Sequence, residues 1–120
     1  MKLQNELGEV RISPDVFTAI TGSAATNCYG VKGMAVRSKT DGLVHLLKRE
    51  SMAKGVKVYY TEDGTVSIEL HIIVENGVNL PAVCRSIMSE VKYKVNKYTG
   101  IPVQRVDICV DSVVSNSKGV

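Results

Sequence analysis

The sequence predicts an α+β fold, a two-layer sandwich in which one mixed β-sheet carries two main helices on one face. Alternating apolar residues on both sides of Asp63-Gly64 predict a β-hairpin, because an Asp-Gly pair suits the twist of two paired strands. Apolar residues that recur every three or four positions from Leu80 to Tyr98 predict a long amphipathic helix. A further alternating run around Ile108 predicts a strand after that helix.

The length of 120 residues fits one domain with its own core. We expect residues 1–7 to be a loose lead-in, residues 8–113 to be the domain and residues 114–120 to be a short tail. No run of about 18 apolar residues and no secretory segment is present, so we expect a cytoplasmic protein without a membrane span. Three widely spaced cysteines fit a reducing compartment, and the net charge of +3 is mild.

The first half of the chain predicts a strand, a helix and a second strand between residues 8 and 37. Ser13 and Pro14 begin the helix, because serine caps free backbone N–H groups and proline suits the first turn. Gly30 is the expected end of that helix, and the second strand follows it directly. Further along, Asp41 is expected to cap a short helix.

The long helix of the second half is expected to begin at Asn79-Leu80-Pro81 and to end at Gly100. Its predicted apolar stripe consists of Leu80, Val83, Cys84, Ile87, Met88, Val91, Val95 and Tyr98. Two strand–helix–strand units, residues 8–37 and 66–113, are each expected to cross over right-handed within a single sheet.

Patterns of catalytic or metal-binding residues are not found in the sequence. His45 and His71 belong to no metal-spaced cluster, and His71 is expected to be a partly exposed strand residue. Cys109 is expected to share a strand face with Asp107 and Asp111, whose charges disfavour a thiolate. The sequence therefore predicts no cofactor, no metal and no catalytic residue, and the protein is not expected to be an enzyme.

One glycine pattern, Gly30-Val31-Lys32-Gly33, has a functional interpretation. In KH domains a Gly-x-x-Gly loop joins two helices and clamps a nucleic-acid backbone. Here it is expected to join a helix to a strand, so a plain helix end followed by a turn is the favoured interpretation. Nucleic-acid binding through Gly30, Lys32 and Gly33 remains an alternative hypothesis.

A basic cluster of Lys48, Arg49 and Lys54 is the candidate interaction surface that the sequence offers. Together with neighbouring leucines it suits contact with a protein partner or with anionic lipid. A solvated rim of the domain is the more common explanation of such a cluster.

Five short segments form an ordered pattern across most of the chain. They are Gly8-Glu9-Val10-Arg11-Ile12-Ser13-Pro14-Asp15-Val16, Gly30-Val31-Lys32-Gly33-Met34, Ser51-Met52-Ala53-Lys54-Gly55-Val56-Lys57-Val58, Ile72-Ile73-Val74-Glu75-Asn76-Gly77-Val78-Asn79-Leu80-Pro81 and Thr99-Gly100-Ile101-Pro102-Val103. This ordered set resembles the alkaline-shock-protein family of small cytoplasmic proteins, which is found mainly in Gram-positive bacteria.

The resemblance implies a non-enzymatic interaction or scaffold protein of the envelope stress response or envelope homeostasis. It implies a protein partner, in some members membrane-anchored, that holds the protein at the inner face of the membrane. It also implies a link to a fatty-acid kinase in some members, and it supplies no catalytic residues. Self-association is a further expectation, because an open mixed sheet leaves strand edges unpaired.

Overall fold

The computed structural model describes residues 1–37, 43–47 and 54–115, and in these residues it contains seven strands and two helices. The elements in chain order are β1 (Lys2–Asn5), β2 (Gly8–Arg11), α1 (Pro14–Thr26), β3 (Val31–Arg37), β4 (Val44–Leu46), β5 (Val56–Tyr60), β6 (Val66–Glu75), α2 (Leu80–Thr99) and β7 (Val103–Val114). Strands β3 to β7 form one mixed sheet, and both helices pack against it, which confirms the predicted α+β fold.

Strand β6 is the centre of the sheet. Along one edge it pairs in parallel with β7, over its full length from Val66 to Glu75. Along the other edge it pairs antiparallel with β5 in its first half and with β3 in its second half. Strand β4 extends the sheet beyond β3. Since a strand has only two edges, both edges of β6 are fully used.

The core lies between the sheet and the helices. Every second residue of β6, from Val66 to Val74, is at most 1% exposed on the face that the helices cover. Helix α2 contributes a buried row at four-residue spacing, and α1 packs beside α2 and contributes its own apolar residues. The helical core residues are Val83, Ile87, Val91, Val95, Phe17, Ala24 and Ala25.

The starts of both helices and the end of α2 lie where the sequence predicts them. The Ser13 side chain accepts the Asp15 backbone N–H at 3.3 Å, and the Asn79 side chain accepts the Ala82 N–H at 3.1 Å. Gly100 ends α2 at a φ of 75°, a left-handed conformation that glycine adopts without steric cost. The predicted starts of both helices and the predicted end of α2 are therefore confirmed.

The N-terminal residues differ from the prediction of a loose lead-in. Strand β1 lies within residues 1–7 and pairs antiparallel with β2 in a separate two-stranded hairpin. The predicted strand–helix–strand unit over residues 8–37 is therefore wrong, because β2 does not join the main sheet. Both edges of β6 are already occupied, so no position beside it is left for β2.

Two further predictions in the first half of the chain are wrong. Helix α1 ends at Thr26, and Gly30 instead occupies a left-handed turn with a φ of 88° before β3. In place of the predicted short helix, Val44–Leu46 forms β4, because the free edge of β3 offers backbone partners to an apolar segment. The proposed cap of that helix, Asp41, lies outside the described residues.

The apolar stripe of α2 is narrower than the sequence predicts. Its central row is buried, but Leu80, Met88 and Tyr98 are exposed and Cys84 is half-buried. With 20 residues, α2 is longer than the 13-residue α1 beside it, so positions at the ends and flanks of the stripe border on solvent. Tyr98 in particular becomes a surface residue.

Substitution of Ile87 by aspartate tests this packing. We expect Ile87→Asp to abolish cooperative unfolding, because an unpaired charge in the core costs several kcal/mol, out of a total stability of roughly 5–15 kcal/mol. The neighbouring Met88→Asp, at the exposed flank, is the control and should melt cooperatively. A cooperative thermal melt of Ile87→Asp in circular dichroism would show that the packing of α2 is misassigned.

Candidate functional site

The outer side of the helical layer carries two exposed tyrosines around one lysine. Tyr93 is 59% exposed and Tyr98 is 63% exposed, near the C-terminal end of α2. The ammonium nitrogen of Lys97 lies 5.6 Å from the centre of the Tyr93 ring and 5.5 Å from that of the Tyr98 ring, close enough for cation–π attraction. The aromatic rings and the charge therefore form one continuous patch.

A groove between α1 and α2 continues this patch. It has a volume of about 280 Å³ and is lined by Ala19, Ile20, Ser23, Lys94 and Tyr98. Lys94 is paired with Glu90 at 3.9 Å across one helical turn. We call the combined region, consisting of Ile20, Ser23, Tyr93, Lys94, Lys97 and Tyr98, the tyrosine–lysine surface.

The charge of α2 is strongly one-sided. Arg85, Lys92 and Lys97 are exposed, and among the residues that the structure describes no carboxylate lies within ion-pair distance of any of them. Exposed cations without partners retain their full attraction for an incoming anion. The helical side of the domain is therefore electropositive.

The Gly-x-x-Gly segment does not form the KH-type loop of the alternative hypothesis. Gly30 precedes β3, whereas Lys32 and Gly33 lie within the strand, so the segment does not join two helices as a KH loop does. A Cβ atom on Gly33 would lie 2.8 Å from a methyl carbon of Leu46, which shows that this glycine makes room for packing. Lys32 and Gly33 border a depression of about 340 Å³ with Ser23, Thr26, Asn27, Met34 and Leu47. Nothing in this geometry favours nucleic-acid binding.

The predicted basic cluster is only partly within the described structure. Lys54 is exposed two residues before β5, whereas Lys48 and Arg49 lie outside the described residues. The interaction surface made by these three residues therefore stays a prediction.

A second cluster of polar residues lies on the face of the sheet away from the helices. The His71 Nε2 atom is 3.1 Å from a carboxylate oxygen of Glu69, and the His71 Nδ1 atom is 3.0 Å from one of Asp111. Lys57 on β5 lies 4.0 Å from the same Glu69 carboxylate. The Asp111 side chain is only 10% exposed, so its bond to His71 is well shielded from water.

The cluster of Glu69, His71 and Asp111 lies at the irregular part of β7. Ile72 pairs with Val110 and Ile73 pairs with Ser112, so Asp111 is an extra residue that bulges out of the ladder. Both nitrogens of His71 are already engaged by carboxylates on opposite sides of the ring. In the described residues no three histidine, cysteine or acidic side chains are placed to hold a metal ion.

Sequence reasoning found part of this cluster. It placed His71 as a partly exposed strand residue, which is confirmed, since the His71 side chain is 28% exposed. It missed the contact with Asp111, because that contact depends on the register between β6 and β7. Glu69 and His71, two positions apart on one strand face, were the only available signal.

The three thiols are poor nucleophiles at neutral pH. Burial raises the pKa of Cys109, and the carboxylates of Glu69, Asp111 and Asp107 raise that pKa further. Burial also raises the pKa of Cys84 and is the main cause of the raised pKa of Cys28. The sequence-based expectation that nearby carboxylates disfavour the Cys109 thiolate is therefore confirmed, although burial is the larger cause.

In the described residues, neither helix is both long enough and apolar enough to cross a lipid bilayer.

Removal of the His71 ring is expected to destabilise the sheet. His71→Ala leaves the shielded Asp111 carboxylate without its partner, so we expect the free energy of unfolding to fall by about 1–3 kcal/mol. Urea unfolding measures this loss. The matched control is His45→Ala on the exposed side of β4, with an expected change within about 0.5 kcal/mol. Equal effects of the two substitutions would contradict a bracing role for His71.

The raised pKa of Cys109 predicts slow alkylation. At pH 8 a smaller fraction of this thiol is ionised than in free cysteine, so iodoacetamide should react more slowly and accelerate as the pH rises above about 9. Glu69→Gln removes one of the charges that raise this pKa and should speed the reaction. Peptide-resolved mass spectrometry follows each thiol, and Cys84, whose pKa is raised by burial, is the internal control. Reaction of wild-type Cys109 as fast as free cysteine would refute the assignment.

Comparison with known proteins gives one family and several relatives. A model of the alkaline-shock-protein family, described by its "cell envelope-related function", matches residues 2–115. The chain is 35% identical over 114 residues to the uncharacterized protein YloU of Bacillus subtilis, a match that covers 94% of each chain. It is 31% identical over 114 residues to the uncharacterized protein Spy1614 of Streptococcus pyogenes, covering 94% and 93% of the two chains. No solved structure was found to match the chain.

Proposed function

Since the chain belongs to the alkaline-shock-protein family and has an envelope-associated role, we propose that it is a non-enzymatic interaction protein. It binds a partner protein through the tyrosine–lysine surface, and that partner holds it at the inner face of the membrane. The family assignment confirms the resemblance predicted from the sequence.

The observation that carries this proposal is the exposed pair Tyr93 and Tyr98 around Lys97, which has no carboxylate within ion-pair distance in the described residues. Tyrosines are enriched at protein interfaces, where they bury much apolar area at a small cost in side-chain entropy. The adjacent groove gives an apolar side chain a place to insert next to the ammonium of Lys94. The partner segment that fits this surface combines acidic residues with one or two large apolar residues.

Two observations favour binding over catalysis. The pKa of each of the three thiols is raised, so the nucleophilic thiolate is scarce at neutral pH. His71 has both ring nitrogens committed to carboxylates, which leaves it no free nitrogen to act on a substrate.

Affinity capture with matched tyrosine variants tests the proposal. Proteins from the membrane fraction are captured on the immobilised wild-type chain and quantified by mass spectrometry. We expect Tyr98→Ser to reduce the amount of the specific partner about tenfold or more, as for a central interface tyrosine. The control is Tyr59→Ser, a tyrosine that is 52% exposed on the other face of the sheet, which should retain the partner.

Capture that is equally strong with both variants would exclude the tyrosine–lysine surface as the binding site. Equal loss with both variants would point to a general effect on folding, which the melting temperature of each variant detects.

A further inference from the structure

The turn between β6 and α2 presents Asn76 and Gly77 to solvent. Both residues are exposed, and Gly77 lies in a left-handed turn with a φ of 91°. A Cβ atom on Gly77 would meet no atom within 4 Å apart from its neighbours in the chain, so this side of the turn is open. Of the residues that the structure describes, none makes a hydrogen bond to the Asn76 side-chain amide or to the Gly77 backbone N–H. These two groups are the ones that react with each other when asparagine deamidates.

We propose that Asn76 is a site of spontaneous deamidation. Asparagine is thermolabile because the backbone nitrogen of the next residue attacks its side-chain carbonyl carbon. Here the Gly77 nitrogen gives its proton to hydroxide and bonds to the Asn76 Cγ atom, while the bond from Cγ to the side-chain nitrogen breaks. The leaving nitrogen takes a proton from water and departs as ammonia, and a cyclic imide remains.

One molecule of water then opens the imide. Cleavage between the ring nitrogen and Cγ gives aspartate, and cleavage between the ring nitrogen and the main-chain carbonyl carbon gives isoaspartate. Both products carry a carboxylate in place of the amide, and in isoaspartate the main chain is longer by one carbon atom. The reactants are the chain itself and water. This inference goes beyond the proposed function, because it concerns a chemical change of the chain and not the binding of a partner.

Two other described asparagines have side chains that are already engaged. The Asn5 side chain accepts the Leu7 backbone N–H at 2.8 Å. The Asn79 side chain accepts the Ala82 backbone N–H at 3.1 Å, as the cap of α2. Attack on either side chain requires this bond to break first, whereas the Asn76 side chain is free to turn toward Gly77.

The remaining two described asparagines are protected by the backbone that follows them. After Asn27, the Cys28 N–H donates to the Ala25 carbonyl at 3.1 Å. After Asn96, the Lys97 nitrogen lies within α2, where backbone N–H groups are bonded to carbonyls one turn earlier. The asparagine of the turn is therefore the one that combines a free side chain with a free attacking nitrogen.

The turn connects three parts of the domain, so the reaction has a structural cost. The Asn76 N–H donates to the Val114 carbonyl of β7 at 2.7 Å, and the Glu75 N–H donates to the Gly30 carbonyl at 3.0 Å. Asn79, the cap of α2, follows directly after the turn. A longer main chain changes the spacing between the bond to β7 and this cap, and the new carboxylate lies next to that of Glu75. We expect the isoaspartate form to be less stable.

Incubation of the folded full chain at mildly alkaline pH tests the site. Peptide-resolved mass spectrometry follows the conversion of each asparagine to an acid. We expect Asn76 to react about tenfold or more faster than Asn5, Asn27, Asn79 and Asn96, which corresponds to a barrier lower by about 1.4 kcal/mol or more. A parallel incubation in denaturing urea measures the rate that the local sequence alone sets.

Two variants separate the reaction from its effects. Asn76→Gln keeps an amide but has a longer side chain that closes the ring far more slowly, so its charge and melting temperature should stay constant during incubation. Asn76→Asp introduces the carboxylate without lengthening the main chain. The isoaspartate form of wild type, separated by ion exchange, should melt several degrees below both fresh wild type and fresh Asn76→Asp.

Two results would overturn the site. One is loss of the Asn76 amide at the rate of the other asparagines. The other is a rate in the folded chain that is about tenfold or more below the rate in urea, because the turn would then protect this asparagine. An isoaspartate form that melts at the same temperature as fresh wild type would refute the structural cost.

Discussion

The burial of β6 is the constraint on which the rest of this structure depends. This strand is apolar on the face that meets the helices, and both of its edges are paired. Sharing one edge between β5 and β3 keeps the other edge free for the parallel strand β7. The helix that links β6 to β7 must then cross the face where the apolar residues are, and α1 packs beside it.

As a result, the two faces of the sheet carry different kinds of contact. The covered face supplies the apolar packing between sheet and helices, whereas the open face carries the ionic cluster that fixes the bulge at Asp111. In the described residues, the outer side of the helices carries exposed tyrosines and cations that have no carboxylate within ion-pair distance.

The charged residues also differ between the open face of the sheet and the helical side. On the open face and along β7, cations and carboxylates alternate, as in Lys57 with Glu69 and Arg105 with Asp107. On α2 the cations outnumber the one carboxylate, Glu90, and most of them are unpaired. The open face is therefore close to electrically balanced, whereas the helical side is electropositive.

The sequence by itself determined the features that depend on near neighbours in the chain. Ser13 and Asn79 cap helices through bonds to residues two or three positions away, and the hairpin at Asp63-Gly64 needs only local backbone twist. The apolar period of α2 likewise located its buried row.

Tertiary structure alone decided which strand occupies which edge. That choice moved β2 out of the sheet, turned residues 44–46 into β4 and brought Asp111 to His71. It also left Tyr98 exposed at the end of a stripe that looked buried. Each of these outcomes depends on partners distant along the chain, and the free energy of such pairings is not encoded in any local pattern.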